Sequence, residues 1–271
     1  PESYMILEVS PDLCERQEAY VNEQAPELAQ LVSWLDMPPD AMSGVIVANE
    51  VLDSFPVERF VRRDAAIMQR RVVASEDGFG WIEEAAPERL REKVERIERD
   101  LDERLPDGFT SEVCLATSPW IGGMAAVLRE GVAFLLDYGI TRREYFAPDR
   151  HAGWLRCHYR HHAHNDPLIL PGIQDLTAWV DFTDVATIAS HAGFDIAGYA
   201  PQARFLMAGG LEDEMRGFDS LPLDEQLKLS GQVKKLTLPG EMGEHFKCLA
   251  LSKGTVAAPS AFGQADRTHT L

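Results

Sequence analysis

Short apolar runs recur along the chain, and several stop abruptly in polar residues. "YMILEV" (4–9), "GVIVANE" (44–50) and "GVAFLLDYG" (131–139) have the density of strands buried on both faces. "LAQLVSWL" (28–35) is a weaker strand candidate, closed by Pro38 and Pro39. Between the first two runs, Ser10 and Pro11 mark a helix start. Residues 57–85 alternate and carry turn residues, which predicts an antiparallel hairpin or meander. In 86–105, Leu90, Val94, Ile97 and Leu101 keep the spacing of an amphipathic helix. Residues 110–130 read as a further helix, perturbed near Pro119, Gly122 and Gly123. The stretch from 140 to about 170 shows no period. A helix is expected over 182–194, with Thr183 as its cap and Gly193 as its stop. A strand (194–199), one or two helices (201–235) and a last strand (245–253) follow, the two strands suiting an antiparallel closure of one sheet edge.

Strands that alternate with helices predict an α/β fold with a doubly wound sheet. The 271 residues contain no Pro-, Gly- or Ser-rich linker, so one domain is expected over 1–271, with insertions at about 57–105 and 140–175. The chain begins at Pro1, almost directly on a strand pattern, as if a natural N-terminal part had been removed. Hydrophobic residues make up 45%, enough for a sizeable core. The net charge of −18 disfavours nucleic acid and anionic membranes as partners. Cys14, Cys114, Cys157 and Cys248 form no close pair and read as reduced thiols. With no membrane-length apolar run and no signal-like start, a cytoplasmic protein is expected.

In an open α/β sheet, ligands bind beyond the carboxyl ends of the strands. That rule selects Glu8, then Asn49, Glu50 and Asp53, then Asp137 and Tyr138. Glu8 could accept hydrogen bonds from a ribose, although no glycine-rich turn precedes it. Glu50 and Asp53 could equally cap a following helix, and Tyr138 could simply pack. His158, His161, His162 and His164 crowd one segment, but Arg156 and Arg160 flank them and would repel a cation. No metal is expected there; the imidazoles fit a loop over the site. With Arg142, Arg143 and Arg150, this is the most basic region of an acidic chain. It reads as a solvated face or a docking patch for an acidic partner.

The segments "LEVSPDLCERQ", "VIVANEVLDSFPVERF", "LLDYG" and "LRCHYRHHAHNDPLILPGIQDLTAWVDFT" resemble the MidA-like family of S-adenosylmethionine-dependent methyltransferases over about residues 4–252. That family includes an arginine methyltransferase of mitochondrial complex I assembly. The resemblance implies a Rossmann-like class I methyltransferase sheet with a β-hairpin insertion and an irregular lid. It implies S-adenosyl-L-methionine as cofactor, held by Glu8, Trp34, Leu35 and Asn49. Glu50, Asp53 and Asp137 would be catalytic, aiming the guanidinium of a protein arginine. Tyr138, Asn165, Asp166, Pro167, Gln174, Asp175 and Thr177 would line the substrate side. Asp175 and Thr177 could also be plain turn and strand residues. Two departures stand out: the family's glycine-rich cofactor segment is absent from this chain, and Trp179 replaces a frequent histidine. The implied partner is a protein substrate, with homodimer formation left open. Two rival readings are a non-catalytic assembly factor on a methyltransferase scaffold and a metal-dependent hydrolase built on the histidines.

Overall fold

The computed structural model describes residues 2–76, 78–160 and 162–271. Strand β1 (Tyr4–Leu7) leads into helix α1 (Pro11–Gln24). Ser10 caps that helix, its hydroxyl accepting from the Leu13 amide, and Pro11 sits in the first turn, where its missing amide costs nothing. Strand β2 (Val32–Leu35) pairs in parallel with β1, Ile6 opposite Trp34. Strand β3 (Met42–Asn49) is the next apolar run. Strands β4 (Val57–Arg63), β5 (Ala66–Ser75) and β6 (Gly78–Ala85) form the expected antiparallel meander.

Helix α2 (Glu88–Leu101) lies against that meander. Leu90, Val94 and Ile97 are fully buried in a cluster with Phe60, Ile67 and Phe109, each contributing roughly 1.5–3 kcal/mol of burial. The helix reading of 110–130 is wrong for its first third. Residues Thr110–Cys114 form strand β7, which pairs antiparallel with β4, and only Thr117–Val127 is helical (α3). Glu112 lies buried in that strand, and the Trp154 amide donates to its carboxylate.

Strand β8 (Leu128–Ile140) is the centre of the main sheet. It pairs in parallel with β3, Val47 opposite Phe134. Among the described residues of the stretch without a period, a short helix α4 (Arg142–Tyr145) precedes β9 (Leu155–Tyr159), β10 (His162–His164) and β11 (Asp175–Ala178), which make a small antiparallel sheet. Strand β12 (Val180–Asp181) then runs parallel to the end of β8. Gly139 permits this approach, because a Cβ there would lie 2.2 Å from the Val180 carbonyl oxygen.

Helix α5 (Phe182–His191) is capped by Asp181, whose carboxylate accepts from the Asp184 amide. Thr183 is not the cap; its hydroxyl instead accepts from the Arg142 amide at 3.0 Å. Gly193 does end the helix, at φ +89°. Strand β13 (Asp195–Pro201), helices α6 (Gln202–Ala208), α7 (Leu211–Glu214), α8 (Leu223–Thr237) and α9 (Met242–His245), and strand β14 (Phe246–Lys253) complete the fold. Strand β14 inserts antiparallel between β8 and β13. The main core lies between this sheet and helices α3 and α5, around Ile121, Leu135, Phe182 and Leu249.

Among the described residues, β1 pairs only with β2, and β3 pairs only with β8. Each keeps one open edge. Val45 and Val47 on β3 are 60% and 64% exposed, although they sit in a run with the composition of a buried strand.

Candidate active site

The carboxyl ends of β3 and β8 meet at a buried carboxylate. Asp137 is 1% exposed. Its Oδ2 accepts from the Leu52 amide at 2.9 Å and the Asp53 amide at 3.2 Å, and its Oδ1 accepts from its neighbour's amide, Tyr138 N, at 2.9 Å. One side chain thus pins the turn after β3 to the end of β8. Burial, reinforced by the nearby Asp53, raises the Asp137 carboxyl to about 7, and the three amides hold it from rising further.

Asp53 is the second buried acid. Its own carbonyl accepts from the Ala178 amide at 3.1 Å, which ties the turn to the end of β11. Burial raises its carboxyl; the Tyr138 hydroxyl opposes that rise, and the charge of Asp175 adds to it. Its Oδ1 is buried without a hydrogen-bond partner among the described residues. Burial, then Asp53, pushes the Tyr138 hydroxyl upward, while the Thr177 side chain acts in the opposite direction. The structure therefore brings Asp53, Asp137, Tyr138, Asp175 and Thr177 together.

Glu50 and Asn49 stand at the exposed rim. The Asn49 side-chain amide donates to Glu50 Oε1 at 3.2 Å. Glu50 has φ +50°, and its amide donates to the Leu136 carbonyl at 2.9 Å. A left-handed glutamate at a strand end carries backbone strain. No helix follows, since a turn leads straight to β4, so Glu50 and Asp53 have no helix to cap.

The insertion loop is braced by its own residues. Asp166 accepts from the Leu168 amide at 3.0 Å, and the Gln174 side chain donates to the Pro167 and Ile169 carbonyls at 2.9 and 2.6 Å. Asn165 is exposed and makes no hydrogen bond among the described residues. Among the described residues no hydrogen bond carries Asn165, Asp166, Pro167 or Gln174 to the buried acids; of that set Asp175 and Thr177 reach the cluster. Among the described residues no group of three or more His, Cys, Asp or Glu is arranged for a metal ion. His158 and His162 are exposed, His164 is half-buried opposite Cys157, and His161 lies outside the described residues.

An aromatic group beside the acids was not legible as a unit in the sequence. Trp179 stacks on the buried Trp154 at 4.5 Å and 23°, and meets Tyr138 and His245 edge-on. Phe246 packs on Tyr138 at 5.4 Å. These residues come from four separate segments, so the pairing of β9 with β11 and of β12 and β14 with β8 assembles them.

Of the residues assigned to the cofactor, Glu8, Trp34 and Leu35 lie in a separate cluster, whereas Asn49 stands beside Glu50 at the end of β3. Glu8 accepts from the Ser10 amide at 2.9 Å and from the Gln17 side chain at 3.4 Å, and the Trp34 indole donates to Gln17 Oε1 at 2.9 Å. Trp34 and Leu35 are half-buried at the end of β2. The half-buried Glu8 carboxylate keeps lone pairs for a hydroxyl donor, and Trp34 offers an apolar face, which fits the ribose and the base of a nucleoside cofactor. No hydrogen bond among the described residues joins this cluster to the acids at β3 and β8.

A parallel α/β sheet closed by an antiparallel strand, with acids at its carboxyl ends, is a Rossmann-like methyltransferase domain. The chain belongs to the family described as "Putative S-adenosyl-L-methionine-dependent methyltransferase", which matches residues 1–200. The cofactor of that family is S-adenosylmethionine. The chain is 30% identical over 283 residues to a Drosophila melanogaster protein named as a mitochondrial protein arginine methyltransferase NDUFAF7 homologue, covering 94% of this chain and 62% of that protein. A Caenorhabditis elegans protein of the same name is 27% identical, covering 82% of this chain and 50% of its own length. The chain thus spans between half and two thirds of these relatives. A crystal structure from Burkholderia thailandensis, described as a "likely methyl transferase" bound to S-adenosyl-homocysteine, superposes with a TM-score of 0.90 at 35% identity, over 100% of this chain and 69% of that one. The cytoplasmic expectation does not stand, because both curated relatives are named as mitochondrial proteins. Reduced cysteines do not separate those compartments. Among the described residues no helix is long and apolar enough to cross a membrane.

Proposed function

We propose that the protein transfers a methyl group from S-adenosylmethionine to an arginine side chain of a protein. The observation that carries this reading is the buried acidic cluster at the ends of β3 and β8, with Asp53 Oδ1 unpartnered. A buried anion needs a cation or a proton, and a guanidinium supplies several donors in one plane. The names of the two curated relatives support the same acceptor.

The cofactor supplies an activated methyl on a sulfonium. Everything else falls to the side chains. Glu8 and Trp34 would hold the nucleoside. Asp137 fixes the turn so that Asp53 faces the acceptor. Asp53 Oδ1 accepts an N–H of the guanidinium and turns the attacking nitrogen toward the methyl. Transfer releases one proton from that nitrogen, and Asp53 Oδ1 takes it. Its raised proton affinity suits that step. Glu50, at the strained rim, would hold the second edge of the guanidinium. The open edges of β1 and β3 are proposed to pair with one further strand, contributed by chain that precedes residue 1. That strand would bring the nucleoside cluster against the acids.

The test is methylation of matched peptides that differ only in carrying arginine or lysine, using the full-length protein and labelled cofactor. Arginine peptides should be labelled and lysine peptides should not. Labelling of lysine alone, or arginine labelling undiminished in Asp53→Asn, would sink the proposal.

A further inference from the structure

The aromatic residues beside the acids have a job that the acids cannot do. Carboxylates attract any cation; they distinguish a flat guanidinium from a compact ammonium only through donor geometry. A planar face adds shape selection, because a guanidinium can lie flat on it while an ammonium touches it at one point. Trp179 is placed for this. Its preceding residue, Ala178, donates its amide to the Asp53 carbonyl, and its following residue, Val180, pairs with Gly139. The backbone on either side of Trp179 is thus tied to Asp53 and, through Gly139, to the strand that carries Asp137.

The ring is also held rigidly. Trp154 backs it at 4.5 Å and is itself fixed by a hydrogen bond from its indole to the Tyr145 carbonyl at 2.8 Å. Tyr138 stands at 70° and 6.3 Å, and His245 at 61° and 5.4 Å, so two rings rise as walls around the indole. Tyr138 reaches from this group to Asp53, which its hydroxyl influences directly. Trp179 remains only partly buried, whereas Trp154 behind it is closed off.

We infer that Trp179, walled by Tyr138 and His245, is the stacking platform for the planar acceptor cation and sets the preference for guanidinium over ammonium. The inference rests on the arginine reading above and deepens it. It assigns Trp179 a role in binding and specificity, separate from the proton and positioning work of Asp53.

The test uses the full-length protein and two variants, Trp179→Leu and Trp179→Phe, each checked for folding by circular dichroism. Steady-state methylation of an arginine peptide is measured together with S-adenosyl-homocysteine affinity. Binding of Nα-acetyl-arginine amide is compared with binding of its neutral citrulline counterpart. Trp179→Leu should raise KM for the peptide about tenfold while leaving kcat within about twofold. It should weaken the arginine probe and not the citrulline probe, and leave cofactor affinity unchanged. Trp179→Phe keeps a ring and should recover most of the loss. If the wild type methylates arginine and Trp179→Leu has an unchanged KM, the inference is overturned and the arginine reading survives. A loss in kcat and stability together that Phe does not restore also overturns it, in favour of packing. If the wild-type protein leaves the arginine peptide unlabelled, the arginine reading falls first.

Discussion

Asp137 holds a proton under competition between three amides that favour the anion and a buried environment that opposes it. With its carboxyl raised to about 7, the free site is partly protonated at neutral pH. A cationic acceptor favours the anion, so its binding should expel a proton, and its affinity should climb as pH rises toward about 7 and level off above. Calorimetry in buffers of different ionisation enthalpy would count that proton; a pH-independent affinity between 6 and 8 would remove Asp137 from the site's charge balance. The same shift has a sign for stability. A carboxyl raised from 3.8 to about 7 on folding contributes stability fully present below the unfolded value and lost as pH rises through the folded one. Urea unfolding should therefore show this contribution declining between pH 4 and about 7. Glu50 makes a second case. Replacing it by Gly removes left-handed strain of about 1–2 kcal/mol, offset by about 0.5–1 kcal/mol of chain entropy. Glu50→Gly should therefore melt at or slightly above the wild-type temperature while turnover falls at least about tenfold. A clear loss of thermal stability would mean that its backbone is unstrained. Both acids could be picked from the sequence as candidates, because strand ends are local. The sequence could not disclose that Asp53 is buried and Glu50 exposed, since that depends on how β11 closes over the turn.

Arg142 shows what elements add. It sits on α4, 4% exposed, and its guanidinium reaches Asp100 of α2, Asp181 at the cap of α5 and Asp184 within α5, the last two at 3.0 Å. Lys93 of α2 reaches Asp184 as well. This clamp joins the meander's helix α2 to α4 and α5. Sequence reading placed Arg142 in a basic surface patch, because no local pattern shows that three acids from distant segments converge on it. Arg142→Gln keeps some bulk but leaves Asp181 without its cation and Asp184 with Lys93 alone. It should cost about 3–5 kcal/mol, measured by chemical denaturation. A loss under about 1 kcal/mol would mark the clamp as effectively solvated. The same non-locality explains the misread strand β7. Thr110, Ser111 and Glu112 are polar yet buried, so neither alternation nor propensity marks them as a strand; their pairing with β4 does. Helix α2, by contrast, was readable residue by residue, because its stripe of Leu90, Val94 and Ile97 is a local property.

At the scale of the whole molecule, the proposed site is divided between two sheets. The cluster of Glu8, Gln17 and Trp34, proposed to hold the nucleoside, sits on a two-stranded unit, and the acids sit on the sheet of β3 and β8. Parallel strands with one face open bury little, and valines exposed on a strand edge invite pairing. A strand between β1 and β3 would satisfy both edges. It would also place a strand-to-helix turn, with its amides, where the charged part of the cofactor needs donors. Cofactor affinity should then be weak in the 271-residue chain and at least about a hundredfold tighter in a longer protein that includes the preceding segment, as loss of several amide contacts implies. Calorimetric titration with S-adenosyl-homocysteine compares the two directly. Hydrogen exchange supplies a second reading: the amides of Tyr4–Leu7 and Met42–Asn49 should exchange quickly in the shorter chain and become protected together in the longer one. Glu8→Ala in the longer protein should weaken the cofactor roughly ten- to hundredfold, the scale of hydrogen bonds to a charged acceptor. Equal cofactor affinity in the two lengths would show that β1, β2 and β3 already hold the complete site, and that their open edges serve something other than a missing strand.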